Sequence, residues 1–157
     1  MDPAVSHPPV GITAMHRTAV GDAMHPGIMA CSPITPIEEV AQIMAGGRVH
    51  CVTVLEHAND HSPVVSGVVS DIDLLTWATG GDTHLPVGGV VREPAVSASP
   101  DATLHEAAQL MAAPGVGHLV VVDPRRRTPV GILSALDVAR VLASTVTERF
   151  TGERRAR

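Results

Sequence analysis

Two small constellations in this 157-residue chain combine residue types and spacing suited to ligand chemistry. Ser70 stands three residues before Asp73, and Ser134 stands three before Asp137. Each pair follows a β-branched run and precedes an apolar-periodic stretch, so each falls where a strand gives way to a helix. A carboxylate in the first helical turn can accept two hydrogen bonds from the vicinal hydroxyls of a ribose. A hydroxyl beside the free amides of the helix N-terminus suits a phosphate. The same Ser-x-x-Asp spacing also caps a helix. For either pair alone both readings stand, and the recurrence favours ligand contact in at least one site.

The elements that position these pairs are themselves repeated. Val20-Gly21 recurs as Val87-Gly88, at an offset of 67 positions that also aligns Ser32-Pro33 with Ser99-Pro100 and Val49 with Val116. Glu39-Val40-Ala41-Gln42-Ile43-Met44 aligns with Glu106-Ala107-Ala108-Gln109-Leu110-Met111 at the same offset. Gly67-Val68-Val69-Ser70 then matches Gly131-Ile132-Leu133-Ser134 at an offset of 64, so the first repeat carries three extra residues near 57–61.

Each repeat predicts the same order of elements. An extended stretch (Ile28 to Cys31; Ala95 to Ala98) leads to a helix with apolar residues at i, i+3, i+4 and i+7: Ile37, Val40, Ala41, Met44, then Leu104, Ala107, Ala108, Met111. Thr35 with Glu38 has capping-box spacing, with Pro36 at the first helical position. Thr103 with Glu106 has that spacing one residue out of register with Thr35, which argues against a matching cap. Two β-branched strands follow, Val49 to Leu55 with Val64 to Val69, and Val116 to Val122 with Thr128 to Leu133. A closing helix carries Leu74, Leu75 and Ala78, or Val138, Val141 and Leu142, on its apolar side.

One such unit has too few elements to close a core, and two packed together solve this. The fold class expected is α/β: two pseudo-symmetric βαββα repeats, with small sheets packed against helices. The boundaries expected are a flexible N-terminal segment 1–18, repeat one 19–79, a turn-rich linker 80–86, repeat two 87–144 and a basic tail 145–157. Within the first segment, Val10 or Met15 has the apolar character to dock.

Composition narrows the function. The chain is 45% hydrophobic but holds one Trp (Trp77), one Phe (Phe150) and no Tyr, and its formal net charge is −5. That leaves too few rings to stack bases and the wrong sign for a phosphate backbone, so no nucleic-acid partner is expected. No apolar run reaches the length of a membrane span and no secretory signal is visible, so a soluble cytoplasmic protein is the default. Cys31 and Cys51 do not make a disulfide framework. His57 and His61 lie four apart but in a hairpin loop, without a third ligand nearby, so no metal site is expected. There is no nucleophile elbow, Walker loop or His-Glu-x-x-His, and no enzyme is expected.

The repeated Gly-hydrophobic-hydrophobic-Ser-x-x-Asp, at Gly67 to Asp73 and Gly131 to Asp137, resembles the signature of the cystathionine β-synthase (CBS) domain. The chain is similar to a tandem CBS pair, or Bateman module, over about residues 18–144. The resemblance implies a regulatory module that binds an adenosine-containing ligand (AMP, ADP, ATP, S-adenosylmethionine or a relative) between repeats, requires no cofactor and catalyses nothing. It implies that one cleft combines Ile28, Met29, Val49 and His50 with Ser134 and Asp137. The other cleft combines Ala95, Val96, Val116, Gly117 and His118 with Ser70 and Asp73. Arg140, one turn after Asp137, either adds charge to the first cleft or faces solvent; Thr76 replaces it in the second. His118, where repeat one has Cys51, gives the second cleft a basic group for phosphate when protonated.

Ile43 and Leu110 lie off the main apolar stripe of the first helices, which predicts a second buried face. The resemblance implies a disc-like homodimer through these helices, with an effector protein as a further partner. The rival reading is an assembly module that binds no small ligand.

Overall fold

A computed structural model describes residues 10–80, 85–91 and 95–143. Residues 1–9, most of the expected linker (81–84) and the basic tail 145–157 lie outside the described residues. In chain order the elements are α1 (Val10–Arg17), a helical turn α2 (Val20–Ala23), β1 (His25–Pro26), β2 (Ala30–Cys31), α3 (Ile37–Gly47), β3 (Cys51–His57), β4 (Pro63–Ser70) and α4 (Asp71–Gly80). A 3-10 turn (Val87–Gly89) leads to β5 (Ser97–Ala98), α5 (Leu104–Ala112), β6 (His118–Asp123) and β7 (Thr128–Ser134). Residues 135–143 form a final helix, α6.

The two repeats build matching sheets. β2 runs parallel to β3, which pairs antiparallel with β4; β5 runs parallel to β6, which pairs antiparallel with β7. Cys51 faces Ser70 and His118 faces Ser134, and each hairpin shifts register at the same place, after Val54 and after Val121. Val52, Val54, Val120 and Val121 are buried, as expected of short β-branched strands covered on both faces.

Each core is closed by the other repeat's lead-in. Val20, at the start of repeat one, is buried with Leu104, Leu119 and Leu133 of repeat two. Val87, at the start of repeat two, is buried with Ile37, Val40 and Val52 of repeat one. The backbone fixes the exchange: Val20 N donates to the Ala102 carbonyl and Val87 N to the Thr35 carbonyl, both at 2.8 Å. β1 joins the far sheet outright, with His25 opposite Ile132 on β7. The signature glycines follow from this packing. A Cβ on Gly131 would lie 2.6 Å from the His25 carbonyl oxygen, and one on Gly67 would collide with Val91.

Several local expectations are corrected. α3 starts after Pro36, which makes no side-chain cap, while the Thr35 hydroxyl accepts from the Ser32 amide at 3.1 Å. The complete capping box is Thr103–Glu106 on α5. The repeat places Pro36 opposite Thr103, so position 36, not 35, is the cap position in the first helix. Residues 10–17 are not loose: they form α1, which packs along α5 with Met15 only 5% exposed. Val10, in contrast, is exposed. Ile43 packs against its own core, whereas Leu110 remains 42% exposed. On α4 it is Leu74 and Trp77 that face the core, and Leu75 points outward.

Candidate functional site

A cavity of about 500 Å³ opens between the repeats. Its walls come from the end of β4 and the start of α4 (Val68, Ser70, Asp71, Ile72, Asp73), the approach to β5 (Ala95, Val96), and the segment entering β6 (Pro114, Gly115, Val116, Gly117, His118). All seven residues assigned to the second cleft lie on these walls. Sequence reasoning did not assign Val68, Asp71, Ile72 or the Pro114–Gly115 turn to the cleft, although all lie within two residues of an assigned one and Gly115 has φ +73°, a conformation that favours glycine.

Ser70 and Asp73 form a closed local pair. The Ser70 amide and hydroxyl donate to Asp73 Oδ2 at 2.8 and 2.7 Å, and the Asp73 amide donates to Ser70 Oγ at 3.4 Å. The capping geometry is therefore present. Among the described residues nothing donates to Asp73 Oδ1, which leaves that oxygen able to accept from a ligand hydroxyl.

The counterpart in repeat two is occupied by the chain itself. Ser134 donates twice to Asp137 Oδ2, at 2.9 and 2.6 Å, and Arg140 Nη1 donates to Oδ1 at 2.8 Å. His25 Nδ1 lies 3.4 Å from Oδ2, carried there by the exchange of β1. Asp137 is 3% exposed as a result. Burial works to raise its carboxyl, but the two Ser134 bonds, then His25 and Arg140, outweigh burial and hold it below the ordinary carboxylate value. Arg140 is solvent-facing, with its side chain 60% exposed, yet its guanidinium reaches back to Asp137, and Thr76 turns its hydroxyl back onto the Ile72 carbonyl.

Among the described hydrogen bonds, none joins the remaining residues assigned to the first cleft to Ser134 or Asp137. The Met29 carbonyl accepts from the Thr53 amide at 2.8 Å, and Ile28 beside it is half-buried. Val49 packs against the repeat-one core. The ring of His50 lies 3.1 Å from Asp71 Oδ2, a residue that lines the other cleft.

His118 behaves differently from the expectation of a phosphate-binding cation. Burial, the largest influence, lowers its pKa below the ordinary imidazole value despite the nearby carboxylates, Asp71 first, and His50 adds to the lowering. The neutral ring is therefore favoured at pH 7. Its pseudo-symmetric partner Cys51 is buried, and burial followed by the Asp71 charge pushes its thiol up to about 11. Both cysteines are free thiols. Among the described residues no group of three or more His, Cys, Asp or Glu is placed to hold a metal ion, and no helix is long and apolar enough to cross a membrane.

Known proteins share both sequence and architecture with this chain. The profile of the CBS domain matches residues 20–80 and again 87–144. The chain is 33% identical over 124 residues to the CBS domain-containing protein YhcV of Bacillus subtilis (strain 168), covering 78% of this chain and 84% of that protein. Its fold is similar to that of the CBS domain protein PAE2072 from Pyrobaculum aerophilum complexed with AMP. That match has a TM-score of 0.67 and 25% identity, over 83% of this chain and 99% of the other. The CBS domain of a bacterial CNNM/CorC family Mg2+ transporter in complex with ATP matches with a TM-score of 0.70 and 20% identity, over 85% of this chain and 93% of that one. With two matched repeats, their cores closed by exchanged lead-ins, the chain belongs to the CBS domain family as a tandem pair.

Proposed function

We propose that this CBS pair is a non-catalytic regulatory module that binds an adenosine-containing ligand in the Asp73 cleft. The observation that carries the reading is convergence. Residues from two repeats whose types suit an adenosyl ligand surround one cavity of about 500 Å³. Val96 and Val116 offer aliphatic walls for a planar base, and the backbone at 114–117 offers its edge hydrogen bonds. Asp73 Oδ1 accepts from the ribose hydroxyls. The similarity to a protein complexed with AMP gives the ligand class independent support.

The Asp137 cleft is the weaker of the two in this reading, because a ligand there must first displace Arg140 and His25 from the carboxylate. The chain works in the cytoplasm as a homodimer that reports ligand binding to an effector protein. Assembly without any ligand is the second reading, favoured by exposed apolar side chains on the closing helices: Ile72 at 64%, Leu75 at 63% and Leu136 at 57%. A thermal-shift series with AMP, ADP, ATP and S-adenosylmethionine separates the two. A ligand at about 100 times its Kd stabilises by ~2.7 kcal/mol, whereas a pure assembly module leaves the melting temperature unmoved across the series.

A further inference from the structure

The N-terminus of α4 borders the cavity, and a helix N-terminus ordinarily offers its free amides to an anion. Here the chain's own groups take that role. The Asp71 amide donates to the His50 carbonyl at 3.1 Å, and the Ile72 amide donates to Asp71 Oδ1 at 2.9 Å. The Asp73 amide is directed to Ser70 Oγ. The Asp71 carboxylate thus sits on an amide that a phosphate would otherwise use.

In the twin cleft the Ala135 amide donates to the Gly117 carbonyl and the Asp137 amide to Ser134 Oγ in the same way, so the carboxylate on the second amide is what sets the Asp73 cleft apart. Ala135 stands at the position equivalent to Asp71, and Thr76 stands at the position equivalent to Arg140. Relative to its twin, the Asp73 cleft gains a carboxylate and lacks a guanidinium. None of the described arginines lines the cavity, and two carboxylates, Asp71 and Asp73, do. His118 is the basic side chain on the described wall, and its burial disfavours the charged ring. Asp71 is half exposed, with His50 as its ring partner on the rim.

We propose, on the reading that this cleft binds an adenosyl ligand, that it selects one whose 5′ substituent is cationic and free of phosphate, with Asp71 setting the preference. S-adenosylmethionine has that chemistry in its sulfonium and ammonium groups. A phosphate in the same place meets two carboxylates and helix amides already engaged, whereas a cation meets an attractive field.

The test is isothermal titration calorimetry of the full chain with S-adenosylmethionine, S-adenosylhomocysteine, AMP and ATP, repeated on Asp71→Asn. The asparagine still accepts from the Ile72 amide, and a melting curve verifies that the variant folds. S-adenosylmethionine is expected to bind at least roughly tenfold tighter than AMP, with ATP weaker still, a gap equivalent to one or two exposed charge contacts. S-adenosylhomocysteine, without the sulfonium charge, falls between them. Asp71→Asn narrows the gap between S-adenosylmethionine and AMP by roughly tenfold. If AMP or ATP binds the parent chain as tightly as S-adenosylmethionine, or if Asp71→Asn leaves the ratio unchanged, the role of Asp71 is wrong while the adenosyl cleft stands. If none of the four binds the folded chain, the adenosyl cleft itself is wrong and this preference falls with it.

Discussion

Thr53 offers a test of the repeat logic that does not depend on any ligand. It is fully buried on β3, its amide bonded to the Met29 carbonyl, and its hydroxyl has no hydrogen-bond partner among the described residues. Its counterpart at the same position of repeat two is Val120, also fully buried. A buried hydroxyl without a partner costs about 1–3 kcal/mol. Thr53→Val keeps the β-branched shape that suits the strand and removes the polar atom. Allowing for imperfect packing of the new methyl, the variant should be more stable by ~1 kcal/mol. For a chain of this length that is a rise of roughly 2–4 °C in melting temperature. Thr53→Ala is the control, since it removes the hydroxyl and also a buried methyl worth ~0.8 kcal/mol. Differential scanning calorimetry should rank the valine variant first and the alanine variant below it. A valine variant that melts below the parent chain refutes the argument, because the hydroxyl must then have a partner that the valine lacks.

Four further outcomes follow from the site and the caps. Asp137→Ala should destabilise the chain by ~2 kcal/mol, against ~1 kcal/mol for Asp73→Ala, because both lose a cap but only Asp137 also leaves Arg140 and His25 without their acceptor; urea titrations read the difference. The lowered pKa of Asp137 means that its contribution is complete above the unfolded-state value of about 3.9 and is lost as pH falls through the folded value, so the gap between the parent chain and Asp137→Ala should shrink in acid. The lowered pKa of His118 has a similar consequence at milder pH: stability present above about 6.5 is lost as pH falls through the lower folded value, and His118→Asn should flatten that part of the melting-temperature profile. Thr103→Ala should cost ~1 kcal/mol and Thr35→Ala much less, since the helix cap belongs to Thr103.

The repeat made most of the architecture legible in the sequence. A constant offset ties Val20-Gly21 to Val87-Gly88, and those dipeptides prove to be the lead-ins that each plug the other repeat's core. The exchange itself was not legible, because an internal repeat fixes what the units contain and says nothing about which unit a connecting segment joins. His25 was overlooked for that reason: its pairing with β7, a hundred residues along the chain, is what brings it to Asp137. The Asp73 cleft was readable because its residues sit at strand ends, where side-chain direction follows from the alternation of the strand. The two clefts were expected to differ, but the way they differ at Asp137 was not legible. Spacing alone left Arg140 either in the cleft or in solvent, and it lies largely in solvent while its guanidinium bonds back onto the carboxylate. α1 was read as loose because its Pro-rich approach hides an eight-residue helix whose one buried anchor is Met15. The outward turn of Leu75 reflects a short helix with apolar residues on more than one side, where periodicity does not single out a face.

The most direct test of the account is calorimetry of adenosyl ligands on the parent chain, Asp73→Asn and Asp137→Asn. Asparagine retains capping ability in both variants, and because Asp137→Asn also gives up the charged acceptor for Arg140 and His25, a melting curve first verifies that each variant is folded. Removing the carboxylate that accepts from both ribose hydroxyls should cost ~1.5–3 kcal/mol, or roughly a 10- to 150-fold loss of affinity. The account predicts that loss for Asp73→Asn in the tighter binding event, with that event spared in Asp137→Asn. Isotherms unchanged by Asp73→Asn would contradict it, and would leave Ser70 and Asp73 as a helix cap alone.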